Sequence, residues 1–307
     1  MGDEPPMMQK GLTICICTSG RPFELDRCLA SIQDGTRQPF EIVVSDDSRD
    51  DEMQTTIAEV CRRYVNTRYV SGPRRGLCAN RNTVIEASRS THISLLDDDA
   101  CVGHEFVELA MRILDTSPKA IVSGDVLESG TVLTSPSNPT RWGHFGAVLK
   151  DGDRLKNVQL NCNVFPIAAF ADAAFDERLV YGYEDTDLCN RLIGCGWKIE
   201  HHPELCNSHL PPENRGSRNM LAERERFVVL FRLRSDSSNL RWKGIPWSPL
   251  AACHATAVYA KHKKWDWMIR LPLWIVRGTW LSLIGPRPSA LKFDLVKRHC
   301  TENTIDV

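Results

Sequence analysis

The stretch HISLLDDD, residues 92–99, decides the fold of this chain, because a short apolar run ends there in three consecutive carboxylates. A run of this length that stops at a polar cluster predicts a buried strand over 92–96. Carboxylates a few ångströms apart raise one another's pKa, so three in a row are costly unless a cation neutralises them. The stretch therefore predicts a strand that carries an acidic cluster at its carboxyl end.

Two earlier apolar runs have the same form. Residues 12–18 (LTICICT) end at a Ser-Gly-Arg-Pro turn, and residues 40–45 (FEIVVS) lead into Asp-Asp-Ser. The segments that follow predict three helices, at 25–32, 52–64 and 77–88, and a short strand at 67–70. This alternation predicts an α/β fold with a parallel sheet, whose ligands bind beyond the carboxyl ends of the strands.

Charge divides the chain into two parts. Residues 1–214 carry 21 basic and 32 acidic side chains, a net charge of −11, whereas residues 215–298 carry 17 and 5, a net charge of +12. Residues 125–160 indicate loops with irregular or antiparallel strands, a helix is predicted over 185–194, and a basic helix over 216–234 is followed by a linker at 242–249. We expect an acidic α/β domain that ends near residue 215 and a basic helical extension over 216–307.

Composition excludes several classes of protein. Hydrophobic residues make up 42% and charged residues 25% of the 307 positions, which excludes wholesale disorder and collagen-like repeats. The 12 cysteines include no C-x-x-C pair, so reduced thiols are favoured over a structural zinc site. The first residues are acidic and lack an apolar region typical of a signal peptide, so a cytoplasmic protein is expected.

The three carboxylates of HISLLDDD favour a divalent metal, since Mg²⁺ and Mn²⁺ prefer hard oxygen ligands. Alternation along a strand puts Asp97 and Asp99 on one side and Asp98 on the other, which makes the outer pair the preferred ligands. The alternative is a solvated acidic turn. His209 is a candidate metal or phosphate ligand, although a lone histidine can also be structural.

Other polar clusters suit a nucleotide and a proton acceptor. Asp47 follows a strand, where a carboxylate can accept a hydrogen bond from a base or a sugar hydroxyl, but Asp-Asp-Ser is also an ordinary turn. Arg75 and Arg81 offer guanidinium forks suited to a diphosphate, or simple surface charge. Glu184 and Asp185 open a helix, where they can cap it or act as a general base.

The order of these motifs carries a resemblance. ICICTSGRP, VVSDDS, RRGLCANRN, ISLLDDDA, GYEDTDLCNRLIGCGWKI and SH follow one another as in the inverting glycosyltransferases of family 2, over about residues 11–215. The segment 175–197 also resembles the galactosyl and N-acetylgalactosaminyl transferases. The resemblance implies the GT-A fold, a Rossmann-like and mostly parallel central sheet flanked by helices. The helical basic C-terminal extension lies outside the resemblance.

The resemblance also implies a role for each matching residue. Positions that would contact the donor nucleotide or diphosphate are Thr18, Arg21, Asp47, Arg75, Arg81, Asp97 and Asp98. Positions that would hold the metal are Asp97, Asp99 and His209, with Asp98 able to share that role because the triple Asp leaves the motif's register open. Asp185 matches the catalytic base of the family, and Glu184 is placed to hold the acceptor.

The implied reaction is a single displacement that inverts the anomeric carbon. A nucleoside-diphosphate sugar, of which a UDP-sugar is favoured, would donate to a sugar or lipid-linked sugar in polysaccharide or glycolipid assembly, with Mn²⁺ or Mg²⁺ as cofactor. The alternative is a non-catalytic nucleotide-sugar or carbohydrate-binding module that has lost turnover. No zinc finger or aromatic RNA-binding signature accompanies the basic tail, so no nucleic-acid partner is expected.

Residues 261–285 mix four tryptophans with basic residues. Arg270, Pro272 and Arg277 interrupt the apolar run, and the remaining pieces are shorter than the roughly 20 residues that a membrane span needs. Tryptophan with Lys and Arg is typical of a segment lying at a lipid interface. We expect peripheral attachment to an anionic membrane, on the inner face of the cytoplasmic membrane, with a helix packed on the catalytic domain as the alternative.

Overall fold

A computed structural model describes residues 8–146, 149, 152–210, 218–235 and 246–283. The strands are β1 Gln9–Thr18, β2 Glu41–Asp46, β3 Thr67–Ser71, β4 Ser90–Asp97, β5 Ala100–Cys101, β6 Ile121–Glu128, β7 Val132–Thr134, β8 Asn163–Pro166 and β9 Ile199–His209. The helices are α1 Pro22–Gln33, α2 Asp51–Arg62, α3 Leu77–Ala87, α4 Phe106–Thr116, α5 Glu184–Gly194, α6 Arg218–Ser235, α7 Trp247–Lys261 and α8 Trp265–Leu283, with a 3₁₀ turn at Ile167–Ala171.

The predicted alternation of strands and helices is confirmed in the first hundred residues. Helix α1 begins at Pro22, three residues before the predicted start, because proline suits the first turn of a helix, where its missing N–H has no partner to lose. Between 125 and 160 the expected irregular chain contains one antiparallel pair, β6 with β7. His201 and His202 lie in β9, as expected.

The strands form one sheet in the order β3-β2-β1-β4-β8-β6-β9-β5, with β7 beside β6. β1 to β4 are parallel, which confirms the expected class of sheet, and β8 runs antiparallel to both of its neighbours. Because β1, β2 and β4 all point the same way, their carboxyl ends meet at one edge. The polar residues after these three strands are thereby brought together.

Helices cover both faces of the sheet. Ile14 and Ile16 of β1 pack in a cluster with Leu25 and Leu29 of α1, while Cys15 packs on the opposite face. Burial on both faces explains why β1 is a continuous apolar run rather than an alternating one. Burial raises the pKa of the Cys15 thiol to about 12, so this thiol stays uncharged. Buried thiols of this kind behave as small apolar side chains.

The C-terminal helices pack on the sheet domain. Val228 and Val229 of α6 lie in the same apolar cluster as Leu188 and Leu192 of α5. The proposed boundary at 215 falls in 211–217, outside the described residues.

One detail of this region differs from the sequence interpretation. The predicted end of the linker at residue 249 is wrong, because α7 already begins at Trp247 and the linker was predicted over 242–249. Proline at 249 is tolerated there, since the first N–H groups of a helix have no intrahelical acceptor. Residues 242–245 lie outside the described part. α8 continues through Pro272 as one helix.

Candidate active site

A cavity of about 360 Å³ opens where the carboxyl ends of β1, β2 and β4 meet. Seven of the predicted site residues line it: Thr18, Arg21, Asp47, Asp97, Asp98, Asp99 and His209. Strand β4 ends at Asp97, and the chain turns through the next two residues into β5. Because Ala100 of β5 pairs with His209 at the end of β9, the acidic turn and His209 lie side by side at the cavity.

Asp97, Asp99 and His209 form the metal-competent group of the described residues. One ligand atom from each lies within 4.8 Å of the others. Asp98 turns away from them, because its carboxylate accepts hydrogen bonds from Thr18 Oγ1 at 2.7 Å and from Arg21 at 2.6 Å. Only 3% of Asp98 and 4% of Asp99 is exposed, which excludes a solvated acidic turn.

Neighbouring charges set the protonation of this cluster. Burial raises the pKa of Asp98 to about 7, against the opposing effects of Arg21 and Thr18. Burial also opposes ionisation of Asp99, but His209 and Arg21 outweigh it and lower the pKa of that carboxyl. For His209, burial favours the neutral ring, yet the carboxylates of Asp99 and Glu128 raise its pKa to about 9. Cationic side chains therefore hold the ionised carboxylates in place.

The donor set fits a divalent metal. Asp99 Oδ1 is buried and accepts no hydrogen bond of good geometry from the part of the chain that the structure describes, although His209 Nε2 lies 3.2 Å away. Two carboxylates and an imidazole are ligands that Mn²⁺ or Mg²⁺ accepts. His209 coordinates only as the neutral ring, so metal binding here must displace its extra proton. Glu128 is the second carboxylate beside the His209 ring. Its Oε2 lies 2.9 Å from His209 Nδ1 and can orient the imidazole as a metal ligand.

The loop after β3 is organised by Asp47. Its carboxylate accepts hydrogen bonds from the backbone N–H of Arg74 at 2.5 Å and of Gly76 at 3.1 Å. Arg74 itself adopts a left-handed backbone with φ of 56°, which these hydrogen bonds help to hold. Asp47 thus acts as a turn-forming residue and still lines the cavity. Both interpretations of the Asp-Asp-Ser motif are compatible with this arrangement.

Arg75 and Arg81, the two arginines expected near the diphosphate, do not line the cavity. Arg75 is exposed and pairs with Glu177 at 2.6 Å. Arg81 is 2% exposed and bridges Asp97, at 2.9 Å, to Glu184. Arg81 is therefore a buried link between the acidic cluster of the cavity and the start of α5, and it balances one carboxylate on each side.

Glu184 and Asp185 lie at the start of α5, behind Arg81 rather than on the cavity wall. Asp185 is half-buried, its Oδ1 accepts the Thr186 N–H at 2.7 Å, and Asn157 Nδ2 lies 3.4 Å from Oδ2. Burial and the negative charge of Glu184 raise the pKa of Asp185 to about 6. A carboxylate with that pKa is ionised at neutral pH and is basic enough to accept a proton.

Sequence reasoning missed three residues of this site. Asn161 Oδ1 accepts the backbone N–H of Asp97 at 2.8 Å, so it positions the acidic turn. Asn80 bonds Ser45 and lines the cavity, and Leu221 closes it from α6. Asn80 lies in the quoted Asn-Arg-Asn motif and could have been found from it. Leu221 lies in the basic helix, where no motif signals a cavity residue.

The comparisons with known proteins agree with this fold. A family model described as "Glycosyl transferase family 2" matches residues 13–179. Among curated proteins, none matches this chain. The solved structure of S. aureus TarS is similar, with a TM-score of 0.53 and 14% identity, over 77% of this chain and 41% of that one. This chain thus spans less than half the length of that TarS structure.

Two further structures are similar in fold. The structure of S. aureus TarS 1-349 has a TM-score of 0.57 at 14% identity, covering 90% of this chain and 81% of that one. A structure of GalNAc-T7 with UDP, GalNAc and Mn²⁺ has a TM-score of 0.60 at 14% identity, covering 71% and 48%. At this identity the likeness concerns the fold alone. The family model covers more than half of the chain, so this protein belongs to glycosyl transferase family 2 and has the GT-A fold.

Proposed function

We propose that this family 2 glycosyltransferase moves a sugar from a nucleoside-diphosphate donor to an acceptor hydroxyl, with inversion and with a divalent metal. The observation that carries the proposal is the group of Asp97, Asp99 and His209, whose ligand atoms lie within 4.8 Å of one another in the cavity. A UDP-sugar donor is supported by the likeness to a transferase structure that contains UDP and Mn²⁺. Assembly of a polysaccharide or glycolipid is the role that this chemistry suits.

In the proposed reaction Asp185 takes the proton from the acceptor hydroxyl as its oxygen attacks the anomeric carbon. The bond from that carbon to the diphosphate oxygen breaks, and the nucleoside diphosphate leaves with the electron pair. A metal held by Asp97, Asp99 and His209 would neutralise the charge that develops on the diphosphate. Because attack and departure take place on opposite faces, the configuration at the carbon inverts.

The chain's own residues prepare this step. Arg81 pairs with Glu184 and Asp97, and so ties the proposed base-bearing helix to the acidic turn. Partial burial and the charge of Glu184 raise the pKa of Asp185 to about 6, so that this base is ionised at pH 7 and keeps its proton affinity. Glu184 Oε2 is buried and has no hydrogen-bond partner among the described residues, and an acceptor hydroxyl is a donor that could satisfy it.

A thermal-shift screen tests the proposal. The purified chain is heated with UDP-, GDP- or dTDP-sugars, each with Mn²⁺, Mg²⁺ or EDTA. A ligand at about 100 times its Kd stabilises the native state by about 2.7 kcal/mol, which for a chain of this size raises Tm by about 4 °C. We expect one nucleotide to do so with metal and to lose the effect with EDTA. Metal-independent stabilisation, or none, would favour the non-catalytic binding module instead.

We further propose that α8 attaches the enzyme to an anionic membrane surface. Among the residues that the structure describes, no helix has the length and hydropathy to cross a membrane. The face of α8 away from α6 and α7 carries large apolar side chains that are 58–80% exposed: Trp265, Ile269, Leu273, Val276 and Trp280. Buried Leu271 and Trp274 on the opposite face pack in the helical cluster, so the exposed stripe is not needed for folding.

Charge supports an anionic lipid as the partner of this stripe. Lys261, Lys263, Lys264 and Arg270 are all exposed at or near the beginning of α8. Tryptophan at both ends of the stripe suits the headgroup region, where its ring is half apolar and half polar. An apolar helix face flanked by cations is typical of interfacial binding. Attachment to a membrane surface suits an enzyme whose acceptor is lipid-linked.

Leu273→Asp tests the membrane proposal in vesicle sedimentation. We expect the fraction bound to anionic vesicles to fall about tenfold or more, because the substitution removes an inserted apolar side chain worth about 1.5–3 kcal/mol and adds a repelled charge. Val65→Asp, which changes an equally exposed apolar residue elsewhere, serves as the matched control. Equal binding by both variants, or a wild-type dimer in light scattering that Leu273→Asp dissociates, would contradict lipid as the partner.

A further inference from the structure

The first turn of α5 needs support from outside the helix. Tyr183, which precedes it, has a left-handed backbone with φ of 65° and provides no side-chain cap. The turn also carries three carboxylates, from Glu184, Asp185 and Asp187. A positive φ at a bulky residue persists only where surrounding contacts impose it. The position of the proposed base therefore depends on what holds this turn.

Arg232 of α6 is one such contact. Its guanidinium pairs with Asp187 Oδ1 at 2.7 Å and with Asp176 Oδ2 at 2.6 Å. Asp187 is 1% exposed and lies two residues after Asp185 on the same turn. Arg232 thus joins the first turn of α5 to the segment before it, and its planar fork fixes direction as well as distance.

The same helix contacts the turn at a second point. A Cβ atom placed on Gly182 would lie 2.7 Å from Ala222 Cβ, so α6 rests directly on the backbone before Tyr183. Leu221, the neighbour of Ala222, lines the cavity. Glu225 accepts from the backbone N–H of Val180 at 3.4 Å. Helix α6 therefore touches the chain on both sides of the αL residue.

We propose that Arg232 is a positioning residue for Asp185, which makes α6 part of the catalytic unit rather than an appendage. The inference rests on the proposed function for the role of Asp185. It concerns residues beyond the span of the family match, which ends at 179. The guanidinium acts through Asp187 and the helix backbone and does not touch the substrate.

Arg232→Gln and Arg232→Lys test this role, with Arg178→Gln as the matched control. Arg178 pairs with the same Asp176, at 2.6 Å, but makes no contact with Asp187 in the described structure. Four quantities are measured for each variant: kcat, donor KM, donor affinity by calorimetry, and hydrogen exchange of residues 183–188. Arg232→Lys keeps the charge and loses the fork, so it provides a variant that folds if the glutamine variant does not.

We expect Arg232→Gln to lower kcat by about 10- to 100-fold, the scale of a misplaced catalytic group, with donor KM within about threefold. Exchange over residues 183–188 is expected to accelerate. Arg232→Lys should lose less kcat, and Arg178→Gln should resemble the wild type. A destabilised variant with normal kcat, or equal kcat losses in Arg232→Gln and Arg178→Gln, would overturn the inference.

The exchange measurement separates this inference from the proposed function. A wild type without transferase activity would refute the proposed function and leave the structural claim to be decided by exchange alone. Unchanged exchange over residues 183–188 in both Arg232 variants would then overturn the inference. Accelerated exchange confined to residues 183–188 would support the inference that Arg232 of α6 holds the first turn of α5.

Discussion

Asp185→Asn is expected to lower kcat by about 10²- to 10⁴-fold while leaving donor affinity unchanged, because a positioned general base contributes on that scale. Asparagine has nearly the same shape and keeps an oxygen to accept the Thr186 N–H, so the start of α5 should fold as before. Transfer is measured as release of nucleoside diphosphate with saturating acceptor, and donor affinity by calorimetry. The base acts on the acceptor, which is why the donor-binding step is spared.

Asp172→Asn is a suitable control for this substitution. Asp172 accepts a hydrogen bond from Trp197 Nε1 at 2.8 Å, which an asparagine oxygen can still accept. We expect this control to transfer sugar at the wild-type rate. Undiminished turnover in Asp185→Asn would exclude Asp185 as the base and move attention to Glu184, the neighbouring carboxylate at the start of α5.

The pH dependence of kcat provides a second check on Asp185. Burial and the charge of Glu184 raise its pKa to about 6. A protonated carboxyl cannot take the acceptor proton, so kcat should fall as the pH falls through about 6 and level off above it. The residual kcat of Asp185→Asn should not show this decrease at acidic pH. If kcat instead falls only near pH 4, the base lies in a solvent-exposed environment.

The second large effect is expected from Asp99→Asn, which should weaken metal-dependent donor binding by about tenfold or more. Loss of a residue that only hydrogen-bonds a metal ligand already lowers metal affinity about 10- to 100-fold, and Asp99 is proposed to bind the metal directly. Its carboxylate, within reach of both Arg21 and His209, is the charged centre of the cluster. Donor affinity is measured by calorimetry with Mn²⁺ and with EDTA.

Asp115→Asn provides the control for Asp99→Asn, because it makes the same chemical change on the surface, where Asp115 pairs with Lys10 at 3.0 Å. The control should retain both donor affinity and its sensitivity to EDTA. In Asp99→Asn the affinities with Mn²⁺ and with EDTA should become similar. A variant that still binds the donor more tightly with Mn²⁺ would show that Asp99 does not hold the metal.

Local sequence patterns predicted the strands and helices that build the sheet. The apolar runs at 12–18, 40–45 and 92–96 contain their own end signals, and carboxylates follow the second and third runs directly. Parallel strands then place these carboxylates at a common edge without any further information. For this reason the location of the cavity and the acidic residues of its wall could be predicted from the residues alone.

The partner of each charged group required the tertiary structure. The sequence proposed Arg75 and Arg81 for the same diphosphate, whereas the structure pairs one with Glu177 at the surface and buries the other between Asp97 and Glu184. Each of these pairs except Arg81 with Asp97 joins residues about a hundred positions apart. No local pattern encodes which of several like-charged residues will meet across such a separation.

The sequence by itself determined the α/β class, the acidic edge and the motifs typical of a transferase, because hydrophobic periodicity and strand ends are local properties of the chain. Only the tertiary structure decided that Arg81 is buried between Asp97 and Glu184, and that α6 packs on the start of α5. These contacts depend on strand order and helix docking, in which side chains remote in sequence compete for the same buried partners. That competition is resolved by packing and charge balance in the folded chain.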